Sequence, residues 1–203
     1  INNYPIIRYE PNLGLSAASG SFLTIKNVAF SGQRQDFIAI IGPNTIVENS
    51  IFINGSGHSA AGGISAGGDA GACVINCDIM NSGTSPGISL RGLGCAAIGN
   101  TVISSGNGMA IRSTVNVTHN TILHCNNGIA VDHAGGQPYV QFNTIHNSRA
   151  NGINVLSSVT AAQFILGNEI TNSAGWGIAN TNASGAALLA YNRFLNNSSG
   201  NIQ

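Results

Sequence analysis

Residues 100–112 read NTVISSGNGMAIR, and residues 120–132 read NTILHCNNGIAVD. Both stretches open with Asn-Thr and two aliphatic residues, and both continue through a polar turn to a Gly followed by an apolar residue. A sequence that returns to itself after a few tens of residues is typical of repeat proteins, in which each unit packs only against its neighbours. These two stretches therefore predict a solenoid.

Outward from this pair, one position returns about every 23 residues along most of the chain. It is Asn at all but one site, where it is Cys, and an apolar residue follows two positions later. The sites with their apolar followers are Asn27 with Ala29, Asn49 with Ile51, Cys77 with Ile79, Asn100 with Val102, Asn120 with Ile122, Asn143 with Ile145, Asn168 with Ile170 and Asn192 with Phe194. Stacked, buried Asn side chains can form a hydrogen-bonded ladder, which we expect here.

A second column of glycines opens each third strand. Its members are Gly63-Ile64, Gly87-Ile88, Gly108-Met109, Gly128-Ile129, Gly152-Ile153 and Gly177-Ile178. We expect Gly here because it reaches backbone angles that other residues avoid. In the strand that follows, Met109 and Ile111 are apolar at a spacing of two, which places both on one face.

Three short strands and three bends fill one period and leave no room for a helix of ordinary length. We therefore predict an all-β parallel β-helix of about eight three-strand coils over residues 22–203. Residues 1–21 do not repeat and are expected to form an extended or capping segment. The C-terminal end is expected to be an uncapped coil that meets further domains or identical subunits, because open strands expose unpaired backbone groups.

Composition excludes some classes of function. Seven Lys and Arg residues balance seven Asp and Glu residues, so nothing supports nucleic-acid binding. No apolar run reaches the length of a membrane span. The four cysteines (Cys73, Cys77, Cys95 and Cys125) lack the spacing of metal ligands, and we predict neither a metal nor a cofactor. Cys73 and Cys95 lie on adjacent repeats, and either a disulfide or buried thiols would fit them.

The repeat of Asn, an aliphatic residue, Asn or Ser, and then Gly-Ile resembles the right-handed parallel β-helix repeats of the pectate-lyase-like superfamily, over about residues 22–203. The resemblance implies a secreted, cell-surface or virion-associated module that recognises or processes polysaccharide. The acidic calcium cluster of pectate lyases and the Asp cluster of polygalacturonases are not visible. Asp132-His133 resembles the Asp-Pro-His motif of mannuronan epimerases without its proline.

The resemblance also implies a ligand along the face of the Gly-led strands. Arg91, Arg112 and Asp132 each fall four residues after a column glycine, on three consecutive coils. We therefore expect them in one row, with His133 adjoining it. The long turn that carries His58 is expected to lean over the same side, and Asn154 is an outward residue of a later coil.

Such a row could bind the carboxylates of an acidic sugar polymer, because the Arg fork matches carboxylate geometry. A lyase or epimerase would need a base and a cation that stabilises the resulting anion. His133, Arg112 and Asp132 are the candidate catalytic residues, and Arg91, His58 and Asn154 are candidates for substrate binding. A hydrolase would need paired carboxylates, which Asp132 lacks at its column position.

The alternative is a non-catalytic structural shaft or surface-filament subunit. Opposite charges recur at equivalent positions of adjacent coils, in the pairs Lys26 with Glu48, Arg112 with Asp132 and Glu169 with Arg193. Cross-coil ion pairs of this kind stabilise a surface by only about 0–1 kcal/mol and need no ligand. The low charge of the chain also fits a structural role.

Overall fold

The computed structural model describes residues 5–8, 15–17, 22–31, 38–40, 44–53, 63–66, 71–80, 83–132, 136–156, 158–181 and 186–203. Across these residues the secondary structure consists of short strands and the bends between them. None of these segments forms a helix long and apolar enough to cross a membrane.

The described strands, numbered in chain order, form three parallel sheets. Sheet A contains β1 (Ile6–Arg8), β4 (Ala29–Ser31), β7 (Ile51–Ile53), β10 (Asp78–Met80), β13 (Thr101–Ile103), β16 (Thr121–Leu123), β19 (Thr144–His146), β22 (Glu169–Thr171) and β25 (Arg193–Leu195). Sheet B contains β2 (Leu15–Ala17), β5 (Ile38–Ile40), β8 (Ile64–Ala66), β11 (Ile88–Leu90), β14 (Asn107–Ile111), β17 (Asn127–Val131), β20 (Ile153–Val155), β23 (Trp176–Asn180) and β26 (Gly200–Ile202). Sheet C contains β3 (Thr24–Lys26), β6 (Ile46–Glu48), β9 (Cys73–Ile75), β12 (Ala96–Ile98), β15 (Asn116–Thr118), β18 (Tyr139–Gln141), β21 (Gln163–Leu166) and β24 (Ala187–Ala190).

Each internal strand of a sheet pairs in parallel with the strands three before and three after it, and each end strand pairs with one of these. Val102 pairs with Ile122, and Ile122 pairs with Ile145, so one turn of the coil advances the chain by one sequence repeat. The described strands make sheets of nine, nine and eight members, which corresponds to eight rounds of three strands and two further strands. The predicted fold class, an all-β parallel solenoid with three strands in each coil, is confirmed.

The interior is filled by one inward column from each sheet. In sheet A the column comprises Phe30, Phe52, Ile79, Val102, Ile122, Ile145, Ile170 and Phe194. Phe30 and Phe52 are buried, and their rings stack with centroids 4.8 Å apart. The two apolar followers predicted for the first coils, Ala29 and Ile51, were therefore placed one residue too early.

The Asn ladder is confirmed over the central and C-terminal coils. The Nδ2 group of Asn100 donates to the Oδ1 atom of Asn120 at 2.9 Å, and the same bond recurs between Asn120 and Asn143, Asn143 and Asn168, and Asn168 and Asn192. Each of these Nδ2 groups also donates to a carbonyl of the preceding coil, such as that of Ala97 for Asn120. The buried amides are thus paired on both sides, as buried polar groups require.

In the first two coils the ladder position was assigned wrongly. The register of sheet C pairs Lys26 with Glu48 and Glu48 with Ile75, so Val28 and Ser50 stand above Cys77. Asn27 and Asn49 lie one residue earlier, with φ angles of 58° and 48°. Asn tolerates this left-handed conformation, so it favours the bend as well as the ladder. The backbone N–H of Val28 donates to the Ser50 Oγ atom, and that of Cys77 donates to Asn100 Oδ1.

The column glycines are required by close approach rather than by unusual angles. None of the six has a positive φ. A Cβ on Gly128 would lie 2.3 Å from Ile145 Cγ2 and 2.5 Å from the carbonyl oxygen of Gly152 on the next coil. Side-chain carbons essentially never approach other atoms so closely, so the coils could not stack at this spacing with a larger residue.

The predicted cross-coil ion pairs are present, and the cysteines are free. Lys26 and Glu48 lie 2.8 Å apart, and Arg193 and Glu169 lie 3.3 Å apart, measured between charged atoms. Cys73 is aligned with Ala96 rather than with Cys95, and none of the four thiols forms a disulfide. Cys77 and Cys125 are buried in columns of the interior.

Candidate functional site

The outer face of sheet B is a strip of small side chains. Its outward residues are Ser65, Ser89, Ala110, Ala130, Asn154 and Ala179, which lie in register on successive coils. Ser89, Ala110, Ala130 and Ala179 are buried although they alternate with the inward side chains of sheet B. The strip of small side chains is the floor between the two margins of sheet B.

One margin of this floor carries the predicted charged row. The backbone N–H groups of Arg91, Arg112 and Asp132 donate to the carbonyls of Ala66, Leu90 and Ile111, which places the three residues at equivalent positions on consecutive coils. Leu156 continues the row. The juxtaposition of Arg91, Arg112 and Asp132 inferred from their equal offsets is thus present in the structure.

The charges in the row are partly paired. Arg112 Nη2 lies 3.7 Å from Asp132 Oδ2, and both side chains are about two-fifths exposed, at 43% and 40%. Asp132 Oδ1 also accepts a hydrogen bond from Ser158 Oγ at 3.0 Å. Arg91 is exposed, donates from Nε to Ser89 Oγ at 3.3 Å, and makes no ion pair with the described residues. Arg91 is therefore the cation of the row that is open to a ligand.

The remaining predicted site residues are only partly placed. Asn154 is half-buried in the floor, between Ala130 and Ala179. His58 and His133 lie outside the described residues. The other described acidic side chains, Glu48, Asp78 and Glu169, belong to strands of sheets A and C, so Asp132 has no described carboxylate beside it on sheet B. No described group of three or more His, Cys, Asp or Glu side chains could hold a metal ion.

The opposite margin of sheet B carries a second set of stacked amides. Asn127 Nδ2 donates to Asn107 Oδ1 at 3.0 Å, and Asn127 Oδ1 accepts from the backbone N–H of Asn151 at 3.1 Å. Asn151 Oδ1 in turn accepts from the backbone N–H of Trp176 at 2.9 Å. These amides join the starts of β14, β17, β20 and β23 across successive coils.

A cleft of about 320 Å³ opens in this turn, between sheets A and B. It is lined by Gly83, Thr84, Gly106, Asn107, Asn126 and Arg149. Arg149 and Asn126 are exposed, and neither side chain makes an ion pair or hydrogen bond with the described residues. The cleft was not predicted. The signal in the sequence is an Asn directly before three successive column glycines, at Asn107, Asn127 and Asn151.

Burial raises the pKa of all four thiols, so none of them is an activated nucleophile. Burial is the largest influence on Cys77 and raises its pKa to about 11, against weaker lowering by hydrogen bonds from the backbone. Burial likewise raises the pKa of Cys125, although the Arg149 guanidinium acts in the opposite direction. A thiol with a raised pKa is a poor nucleophile at neutral pH.

The three stacked sheets, the inward columns and the Asn ladder define a parallel β-solenoid. The chain belongs to the right-handed β-helix family, because the family model described as a right-handed beta helix region matches residues 13–165. A search of curated proteins finds no match to the chain. A search of solved structures likewise finds no match.

Proposed function

We propose that this module binds an acidic polysaccharide along the outer face of sheet B. The observation that carries the proposal is the placement of Arg91 and Arg112 at equivalent positions on adjacent coils, beside a floor of Ser and Ala. Adjacent coils repeat at about 4.8 Å, so the two guanidinium groups present a short cationic row. The floor residues are mostly Ser and Ala, so their own side chains do not hold an extended polymer away from the sheet.

Arginine suits this role because its planar fork binds a carboxylate through two hydrogen bonds. Arg91 has no ion-pair partner among the described residues and can take up a carboxylate directly. Arg112 would exchange its exposed contact with Asp132 for the ligand. That exchange is inexpensive, since an exposed ion pair contributes only about 0–1 kcal/mol.

A finer form of the proposal is lyase or epimerase chemistry at the same face. His133 would remove the proton beside the sugar carboxylate, Arg112 would stabilise the resulting anion, and Asp132 would orient these groups. Arg91, His58 and Asn154 would hold the polymer. We further propose that the module acts outside the cell, at a cell surface or on a virion, where such polymers are encountered.

The competing function is a structural shaft without a ligand. The contact between Arg112 and Asp132 favours it, because this pair resembles the pairs Lys26 with Glu48 and Glu169 with Arg193, which lie on sheets away from the proposed face. In this view all three pairs only join neighbouring coils.

Binding to polygalacturonate and to neutral dextran would separate the two functions. We expect the parent protein to bind the acidic polymer, less tightly as salt is raised. Arg91→Gln together with Arg112→Gln should abolish that binding, whereas Arg193→Gln, which removes an exposed cation of sheet A, should not. If the parent binds no polysaccharide, or the double variant binds normally, the structural function is supported. Product analysis with His133→Ala tests catalysis separately: turnover should be lost while binding remains.

A further inference from the structure

We infer that the cleft beside Arg149 is a separate binding site for a single carboxylate-bearing sugar unit. It lies in the turn between sheets A and B, at the edge of sheet B opposite the row of Arg91 and Arg112. The site uses neither of those arginines, so the inference does not depend on polymer binding along the sheet.

Three polar side chains with open hydrogen-bonding capacity converge on the cleft. The Arg149 guanidinium and the Asn126 amide have no side-chain hydrogen bond to the described residues. Asn107 uses its Oδ1 atom to accept from Asn127 Nδ2 and keeps its own Nδ2 group open. The bond from Asn127 fixes the orientation of the Asn107 amide, so its free N–H groups are already positioned for a ligand.

No described acidic side chain neutralises Arg149. Glu48, Asp132 and Glu169 each pair with another cation, and Asp78 makes no ion pair. In a chain with only seven cationic side chains, one that faces a cleft without a counter-ion marks a place for an anion. The carboxylate of a ligand fits the guanidinium fork through two parallel hydrogen bonds.

The rest of the lining indicates a sugar rather than a bare anion. The Asn126 amide offers both donors and acceptors, which suit the hydroxyl groups of a sugar. A volume of about 320 Å³ is at the lower end of the range for small-molecule sites. This volume is large enough to admit one sugar ring.

The test is titration of the whole chain with sodium glucuronate, glucose and sodium sulfate, followed by amide chemical shifts or calorimetry. We expect glucuronate to bind at least about tenfold more tightly than glucose or sulfate, which corresponds to about 1.4 kcal/mol. Glucuronate should shift the amide signals of Gly106, Asn107 and Asn126. Arg149→Gln should weaken glucuronate binding by at least about tenfold, and Asn126→Ala should weaken it by less.

Arg193→Gln is the matched control, since it removes an exposed arginine of sheet A that lines neither the cleft nor the row on sheet B, and it should leave glucuronate binding unchanged. Absence of glucuronate binding, or equal binding by Arg149→Gln, would overturn the inference. Sulfate binding as tight as that of glucuronate would also overturn it, because the site would then be a simple anion site. If the parent protein binds glucuronate but not polygalacturonate, only the proposal of polymer binding along sheet B is overturned.

Discussion

Asn120 Oδ1 accepts two hydrogen bonds from the same residue, one from the backbone N–H of Asn100 and one from its Nδ2 group, both at 2.9 Å. Asn120 repeats this arrangement as a donor to Asn143. The Asn120 side chain therefore bonds both the backbone and the side-chain amide of Asn100 on the neighbouring coil. The bend between sheets C and A depends on this contact, which makes it the first place to test the fold.

Replacing Asn120 by Ala should destabilise the protein by about 1–3 kcal/mol, because the buried N–H of Asn100 loses its acceptor. Urea denaturation measures the change. Asn116→Ala is the matched control: this residue is exposed on β15 of the same coil and should change stability by less than about 0.5 kcal/mol. Equal effects of the two substitutions would contradict a structural role for the ladder.

Ile122→Ala should lower stability by about 2–5 kcal/mol, since it opens a cavity in the inward column of sheet A. Ile103→Ala removes the same atoms from the outer face of the neighbouring strand, where the side chain is only half-buried, and should have a much smaller effect. Thermal and urea unfolding of both variants provide the comparison. A small effect at Ile122 would mean that the interior is loosely packed.

Gly128→Ala should destabilise by about 1–3 kcal/mol or more, because its Cβ would overlap with Ile145 and with the Gly152 carbonyl. Gly94 differs, since its φ is 71° and the nearest atom to an added Cβ is 3.9 Å away. Asn tolerates that conformation, so Gly94→Asn should be nearly neutral while Gly128→Asn is not. If Asn were accepted at both positions, the close approach would not be what selects Gly.

Reversing the charge of Glu169 to Arg should lower stability by no more than about 1 kcal/mol, because the pair with Arg193 is exposed and screened. Adding Arg193→Glu should restore the loss. Denaturation at low and high salt measures both steps, and the effect should shrink as salt is raised. A loss several times larger would show that Glu169 has a role beyond this pair.

The buried thiol of Cys77 makes stability depend on alkaline pH. Its pKa of about 11 in the folded protein exceeds the ordinary value of 9.0, so the unfolded chain loses this proton first. Its contribution is therefore complete below pH 9 and declines between pH 9 and 11, by at most about 1.4 kcal/mol for each pH unit.

Denaturation midpoints of the reduced protein across this pH range, compared with those of Cys77→Asn, isolate the contribution of the Cys77 thiol to the pH dependence of stability. The Asn variant fits the ladder, where Asn100 Oδ1 already accepts from residue 77, and should show a flatter pH dependence. Parallel pH curves for the two proteins would contradict the assigned pKa.

The period of the sequence was enough to predict the coil, because the Asn and Gly columns mark the same two bends in most repeats. It failed in the first two coils, where Asn27 and Asn49 occupy the left-handed bend and Val28 and Ser50 occupy the ladder position. Asn is favoured at both adjacent positions for different physical reasons, so residue type alone could not separate them. The buried aromatic residue Phe52 would have fixed the register.

The candidate site was predictable only for residues that lie at a constant offset from the column glycines. Arg91 and Arg112 share an offset from the column glycines, and the structure places them side by side. The Arg149 cleft escaped prediction because it lies in a turn, where the number of residues varies between coils. Arg149 lies three residues before Gly152, but no equal offset on a neighbouring coil marks it as part of a row.

The stacked coils fix the distances between equivalent groups on the surface of this protein. Equivalent backbone atoms are separated by whole multiples of about 4.8 Å, so those of Arg91 and Asp132 are two coil repeats apart. Duplicating residues 101–120 would insert one more coil between Arg91 and Asp132 and leave the packing of every other coil unchanged. A coil of this kind can therefore lengthen the span between surface groups in fixed increments without redesigning its interior.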